Sequence, residues 1–283
     1  MDIEQIRTFL AVAANGSFLE AATRLHVTQS TVSTRIQNLE QFFGATLFVR
    51  NRSSATLTND GRRLLRHAKA MLRSLDHARQ EISLPSRYRG TLRIGARIAL
   101  WEDFLPRFAG WLRRSAPDIT LQTEIGFEED LMRRLMEGSL DLGLMYTPQH
   151  SPGLEVEYLF DENLMLVAHR GDEEGGDVDP TEAGYIHVDW GPAFHQQHAA
   201  AFPEREAPAL TANIGWLGAQ LLLSNGGSCY LPERLARPLL ANEQVFLVAE
   251  APCFQLPAYM VFPRDTDSDV IPLAIQGLRQ MVQ

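Results

Sequence analysis

The chain has 283 residues, 45% hydrophobic and 22% charged, which is ordinary soluble composition and enough length for two or three domains with cores of their own. No uncharged apolar run is long enough to span a membrane, no basic-then-apolar leader opens the chain, and two cysteines, Cys229 and Cys253, are too few for a disulfide framework. A cytoplasmic protein with no membrane partner is therefore expected.

The net charge of −9 conceals a division: residues 1–89 carry 13 Lys or Arg against 7 Asp or Glu, and residues 90–283 carry 13 against 28, so a head of +6 precedes a body of −15. A basic head can meet phosphates; an acidic body should not.

Ile3 to Ala14 reads as a first helix, with Asp2 as its cap and Ile6, Phe9, Leu10 and Ala13 facing inward. Ser17 to Gly44 then reads as two short helices joined by a tight turn. Ser17 can cap the first, with Glu20 at capping-box spacing, and Ala21, Ala22 and Leu25 give it a small apolar face. His26 and Val27 make the turn. Thr28 caps a second helix running to Phe43, and Gly44 ends it. In that helix Val32, Ile36, Leu39 and Phe43 recur at helical spacing, so one side is buried. The other side carries Gln29, Ser30, Ser33, Thr34 and Gln37, with Arg35 on its flank. Short, uncharged or basic hydrogen-bonding groups on one face suit a helix lying in a DNA major groove. Leu47 to Thr58 reads as a hairpin with a basic, polar tip around Arg50, Asn51 and Arg52, which makes the head a winged helix-turn-helix.

Here the sequence resembles the LysR-type transcriptional regulators. Phe9-Leu10, Gly16-Ser17-Phe18, Ala21-Ala22, Leu25, Thr28-Gln29-Ser30, Val32-Ser33, Ile36, Leu39-Glu40, Gly44, Leu47-Phe48, Arg50, Leu57-Thr58 and Gly61 fall in the family's order and spacing. The expected architecture is α/β overall: a winged helix-turn-helix over 1–58, a linker helix and hinge over 59–89, and an effector-binding domain over 90–283. Gln29 is the candidate for reading a base edge, since a side-chain amide can pair bidentately with adenine. Thr28, Ser30, Ser33 and Thr34 are placed for base or phosphate contacts, and Arg35, Arg50 and Arg52 for phosphates or the minor groove. Many family members carry Arg-Gln where Thr34-Arg35 stands, so the base that is read stays open.

From Thr58 to Ile82 a long helix carries Gly61, Leu64, Ala68, Met71, Leu75, Ala78 and Ile82 at heptad spacing, widened by Leu65 and Leu72. Such a seam leaving a DNA-binding head predicts a homodimer, with packing on the chain's own body as the alternative. Pro85 stops the helix. Beyond it Thr91–Ala96, Ile119–Ile125 and Leu140–Tyr146 read as strands, separated by helices over Trp101–Ser115 and Glu128–Glu137, which predicts a parallel sheet with helical crossovers. Val156–Leu159, Leu164–Ala168, Tyr185–Val188, Ser228–Leu231, Val245–Val248 and Ala258–Phe262 read as further strands. Gly171 to Pro180 is an acidic loop. Phe194–Ala201, Ile214–Leu223 and Ile271–Val282 read as helices.

The resemblance extends more loosely over this half, through Leu92-Arg-Ile-Gly95, Leu105-Pro106, Pro117, Glu137-Gly138, Leu140-Asp141-Leu142, Gly226-Gly227 and Leu231-Pro232. It implies an effector domain shaped like a periplasmic binding protein, with lobe 1 over about 90–161 and 265–283 and lobe 2 over about 162–264. Many family members hold carboxylates in the cleft through hydroxyl residues, at places that fall on Ala99 and Phe127 here, neither of which has a hydroxyl. Arg97, Leu100, Trp101, Tyr146, Trp190, Phe194 and Asn225 stand nearby. They suggest an aromatic-walled pocket for a flat or partly apolar effector of unknown identity, cationic beside Glu102 or, through Arg97, acidic. For Trp101 and Phe127, core and ligand wall weigh evenly.

No nucleophile motif, phosphate-binding glycine loop or Cys-x-x-Cys is present, and His195 and His198, one helical turn apart with Asp189 near, lack a third Cys or His ligand, so no enzyme, cofactor or metal is expected. The expected partners are double-stranded DNA, a small-molecule effector and a second copy of the chain, with a homotetramer and contact to RNA polymerase left open. The competing reading is a small-molecule binding protein or enzyme whose N-terminal helices merely dimerise it.

Overall fold

The computed structural model describes residues 1–51, 54–171, 184–203, 207–266 and 268–282. Two compact units emerge: Met1–Leu84 with Glu137–Ser139, and the remainder from Pro85 on.

The first unit opens with α1 (Ile3–Asn15), started by a full capping box between Asp2 and Gln5. Ser17 caps α2 (Phe18–Leu25) by accepting the Glu20 N–H. His26 takes a left-handed conformation, φ 54°, and turns the chain into α3 (Gln29–Phe43), which Thr28 caps and Gly44 closes. Ile6, Phe9 and Val12 of α1, Ala21 and Ala22 of α2, and Val32, Ile36 and Leu39 of α3 form one buried cluster. The wing follows as an antiparallel hairpin, β1 (Phe48–Arg50) with β2 (Ala55–Leu57). The Glu40 carboxylate on α3 accepts the N–H groups of Leu47 and Phe48 at 2.8 and 3.3 Å, which fixes where the wing starts.

The linker is α4 (Asn59–Ile82), 24 residues and about 36 Å long. Its first turns do not wait for a partner. Leu64 and Ala68 are buried in the head's own cluster, with Met71 packed against it. The dimerisation seam expected along the whole helix is thus corrected at its start: three short helices leave the back of α1 uncovered, and α4 supplies the missing layer. Gly61 makes this approach possible, since a Cβ there would lie 2.2 Å from the Leu47 carbonyl oxygen. Farther along, Leu75 is half-buried while Ala78 and Ile82 are exposed.

In the second unit β3 (Gly90–Ala96), β4 (Ile119–Ile125) and β5 (Leu142–Met145) form the parallel layer read from the sequence, with β3 between the other two. The crossovers are α5 (Ile98–Trp101) with α6 (Phe104–Ser115), and α7 (Glu128–Met136). The single helix expected over Trp101–Ser115 is broken at Asp103, whose φ of 64° no α-helix accommodates. The sheet then turns mixed. The two strands expected over 156–168 are one, β6 (Leu154–His169), because Asp161, Glu162 and Asn163 interrupt its apolar pattern without interrupting its backbone. It pairs antiparallel with β11 (Phe254–Pro263), which pairs in turn with β5.

β6 also carries the other half of the unit. Leu164–Ala168 pair with β9 (Ser228–Pro232), and Val167–His169 with β10 (Val245–Leu247). A short parallel pair, β7 (Ile186–Val188) and β8 (Leu210–Ala212), is flanked by α8 (Pro192–Ala201) and α9 (Gly215–Asn225). Helix α10 (Glu233–Ala241) follows β9, and α11 (Val270–Met281) closes the chain by packing Ala274 and Leu278 into the core of the first lobe. Two lobes therefore share β6 and β11, with a register shift between Ala258 and Tyr259 where the strands pass from one to the other. Of the expected loop at 171–180, residues 172–180 lie outside the described residues.

Candidate DNA-reading face and effector cleft

The outer face of α3 follows from its inner one. With Val32, Ile36 and Leu39 fully buried, Gln29, Ser30, Thr34 and Gln37 must point away from the core, and all four are exposed. The hydroxyl of Thr28 is already engaged, accepting the Thr31 N–H at 3.2 Å and lying 2.8 Å from both the Ser30 and Thr31 hydroxyls. It therefore fixes the start of the helix and ties Ser30 to it. Arg35 reaches back to α1, donating to the Thr8 hydroxyl at 3.3 Å and pairing with Glu4 at 3.4 Å. Gln29, Thr34 and Gln37 keep their side chains without a partner among the described residues. Ser33 is half-buried, Arg50 ends β1 opposite Ala55, and Arg52 lies outside the described residues.

In the second unit a cavity of ≈ 430 Å³ opens between the lobes, where the parallel strands end. Arg97, Phe127, Glu128, Glu129, Thr147 and Gln149 come from the first lobe, and Asp189, Trp190, Gly191, Pro192, His195 and Asn213 from the second. Arg97 is 8% exposed; it pairs with Glu128 at 3.4 Å, and its guanidinium lies 4.6 Å from the centre of the Phe127 ring. Asp189 accepts the Gly191 N–H at 2.9 Å and lies 3.2 Å from His195 Nε2. Trp190 is held rigidly: its Nε1 donates to the Tyr230 carbonyl at 3.0 Å, and its ring fills the space a Cβ at Gly215 would take.

Comparison with known proteins gives both units the same kinship. The model for bacterial regulatory helix-turn-helix proteins of the lysR family matches residues 3–62, and the LysR substrate binding domain matches residues 85–283. The chain belongs to the LysR family of transcriptional regulators. The HTH-type transcriptional regulator HdfR of Yersinia enterocolitica is 31% identical over 278 residues, 96% of this chain and 94% of the relative. The crystal structure of CbnR, a LysR family transcriptional regulator, has a TM-score of 0.72 at 19% identity over the whole of both chains. Full-length CbnR complexed with its target DNA has a TM-score of 0.56 at 21% identity, again over the whole of both. The LysR-type regulator described here is a DNA-binding transcription factor controlled through an effector domain.

Its cleft is not the one drawn from the sequence alone. Of the nine effector residues expected, Arg97, Phe127 and Trp190 line the cavity. Ala99 and Leu100 are buried in the lobe core, because α5 turns its apolar side inward directly after β3. Trp101 packs against that core and donates to the Glu124 carbonyl at 3.1 Å, away from the cavity. Phe194 belongs to the aromatic core of the second lobe, among His198, Tyr230 and Phe254. Asn225 ends α9 and donates to the Leu221 carbonyl, outside the cavity. His195 and His198 diverge although one turn apart, the first to the cleft and the second to the Tyr185 hydroxyl at 3.0 Å.

Tyr146 is also buried, and it takes part in something the sequence concealed. Its hydroxyl lies 3.4 Å from Glu162 Oε2 on β6, and the other oxygen of Glu162 accepts from Arg234 Nε on α10 at 2.8 Å. Arg234 in turn sits over the rings of Phe160 and Phe104. Burial raises the Glu162 carboxyl above its ordinary value, against the pull of Arg234, and holds the Tyr146 phenol well above its own. Acidic residues of a strand centre give no periodic signal; Glu162 becomes visible only once β6 is known to be continuous.

Proposed function

We propose that α3 of this LysR-type regulator lies in the major groove, with Gln29 reading a base edge and Thr34 and Ser33 beside it. Arg50 and Arg52 contact phosphates, and the Thr28 cap sets the position of the helix. The carrying observation is the exposed, uncharged face of α3, on which Gln29 has no competing partner among the described residues. In this reading residues 1–58 bind DNA, 59–89 link and dimerise, and 90–283 bind the effector between lobes of 90–161 with 265–283 and of 162–264.

A second copy covers the groove of ≈ 480 Å³ formed by Leu10, Ala13, Leu25, Leu65 and Leu72, whose rim carries Arg7, Arg24 and Lys69. Leu75, Ala78 and Ile82 extend that apolar stripe along α4. The protein acts in the cytoplasm, on the chromosome, and transmits its state to RNA polymerase rather than converting the effector. Gel-shift titration of genomic fragments over a range of salt tests the reading. Specific fragments should be retained and affinity should fall steeply with salt; indifference to both sequence and salt would reject it.

A further inference from the structure

The charges around the cleft carry an inference about the effector, one that rests on the cleft being the effector site. Three features that could hold a carboxylate in such a place are each weakened by the chain itself. Arg97 lines the cavity but is paired with Glu128 and stacked on the Phe127 ring, so its charge is largely spent on the chain's own groups. At the start of α8 the Gly191 N–H is taken by Asp189 and Pro192 has no N–H to offer, while Ala193 and Phe194, whose N–H groups complete the first turn, do not line the cavity. At the start of α7 the helix dipole faces three of the chain's own acids, Glu128, Glu129 and Asp130.

What remains available is negative and aromatic. Asp130 is paired with Arg133 and Glu128 with Arg97, but the exposed Glu129 has no partner among the described residues. Around the cavity Glu128, Glu129 and Asp189 face one arginine and one histidine. Half-exposed Phe127 offers a ring face, and Thr147, Gln149 and Asn213 offer neutral hydrogen-bonding groups. A carboxylate entering here meets an excess of like charge and would have to break the Arg97–Glu128 pair. An ammonium meets an unpaired carboxylate beside an aromatic wall.

We propose that the cleft binds an organic amine as its cation, with the ammonium on Glu129 and the apolar body against Phe127 and Trp190. The ligand class is a primary amine with a flat or aliphatic body and no carboxylate.

The test uses the full chain and matched probes: phenethylamine and putrescine as cations, phenylacetate and succinate as anions, phenylalanine as a zwitterion. Melting temperature and calorimetric titration are read for each, in the native chain and in Glu129→Gln. The amines should raise Tm saturably and the anions should not. Glu129→Gln, an exposed change with no partner to strand, should weaken amine binding about tenfold or more while lowering the unliganded Tm only slightly, through the charge lost at the start of α7. Stabilisation by phenylacetate or succinate, or by phenylalanine alone, overturns the proposal, as does amine binding that Glu129→Gln leaves intact, or no response to either amine. An anion that stabilises the chain and alters its gel shift would keep the cleft as effector site while rejecting the amine; loss of specific DNA binding in the native chain would instead strike the regulator reading.

Discussion

Gln29 owes its freedom to residues that never touch DNA. Val32, Ile36 and Leu39 rotate it outward, and the Thr28 cap fixes the helix start one residue before it. Replacing it with alanine should therefore leave the fold intact and lower discrimination at one base position by about 1–3 kcal/mol. Binding measured against an operator and its single-base variants should show one flattened position, with the salt slope unchanged; a uniform loss over all sequences would reassign Gln29 to the backbone. Gly61 is limited in the opposite way. Its Cβ would meet a backbone carbonyl rather than a yielding side chain, so Gly61→Ala should destabilise the head by about 1–3 kcal/mol, read as a fall in Tm. Both residues were legible in the sequence, the first from its place on a polar face and the second from the family motif. The hydroxyl of Thr28 was not, because spacing cannot say whether a cap is also free to reach a ligand.

At the scale of elements, α4 is two structures in succession. Its Leu64 is 8% exposed and inside the head core, whereas Leu72 lines an open groove. Leu64→Ala should destabilise the chain by about 2–5 kcal/mol without changing its oligomeric state. Leu72→Glu should lower the sedimentation coefficient toward that of a monomer at nearly unchanged monomer stability. A reversed pattern would return the seam to the residues first read from the heptad. Periodicity identified the helix and its apolar side, and the head's own core takes Leu64 and Ala68 from that side, because a 3.5-residue repeat records which side is apolar and not what covers it. The sheet shows the same limit. β3, β4 and the helices beside them alternate or repeat cleanly and were legible. Helix α10 was not, since Pro238 sits inside it, and the start of β11 was masked by Pro257. Of the cavity's lining, Arg97, Phe127 and Trp190 were read from the sequence as effector residues, whereas Glu129 and Asn213 carry no pattern and are brought beside them only by folding.

For the whole molecule, the buried pair of Glu162 and Arg234 links the two lobes' shared strand to α10. The Glu162 carboxyl is raised in the folded chain, so the folded state holds that proton more tightly than the unfolded one. Its contribution to stability is full below the ordinary carboxylate value and is lost as pH rises through the raised one. Arg234 limits that loss. In Arg234→Met both of its lowering influences vanish, and Glu162 is left as an uncompensated buried charge. The variant should lose about 3–5 kcal/mol near neutral pH, and less as acid restores the proton. Denaturant titrations across that range check the sign; a penalty independent of pH would mean that Arg234 acts through its stacking on Phe160 and Phe104 alone.

The placement of α11 has a consequence for how the chain is made. The head's buried cluster is drawn from one run of sequence, Ile6 to Ala68, and can assemble as soon as that run has left the ribosome. The first lobe is different: its α6 and β3 stay uncovered until Val270–Met281 arrives to pack Gly277 against Trp111. A nascent or truncated chain ending before residue 270 would thus hold a finished DNA-binding head beside an unfinished effector domain. Loss of the C-terminal segment should yield a species that grips DNA and answers to no ligand, and a ribosome stalled late on the message would produce the same deaf regulator.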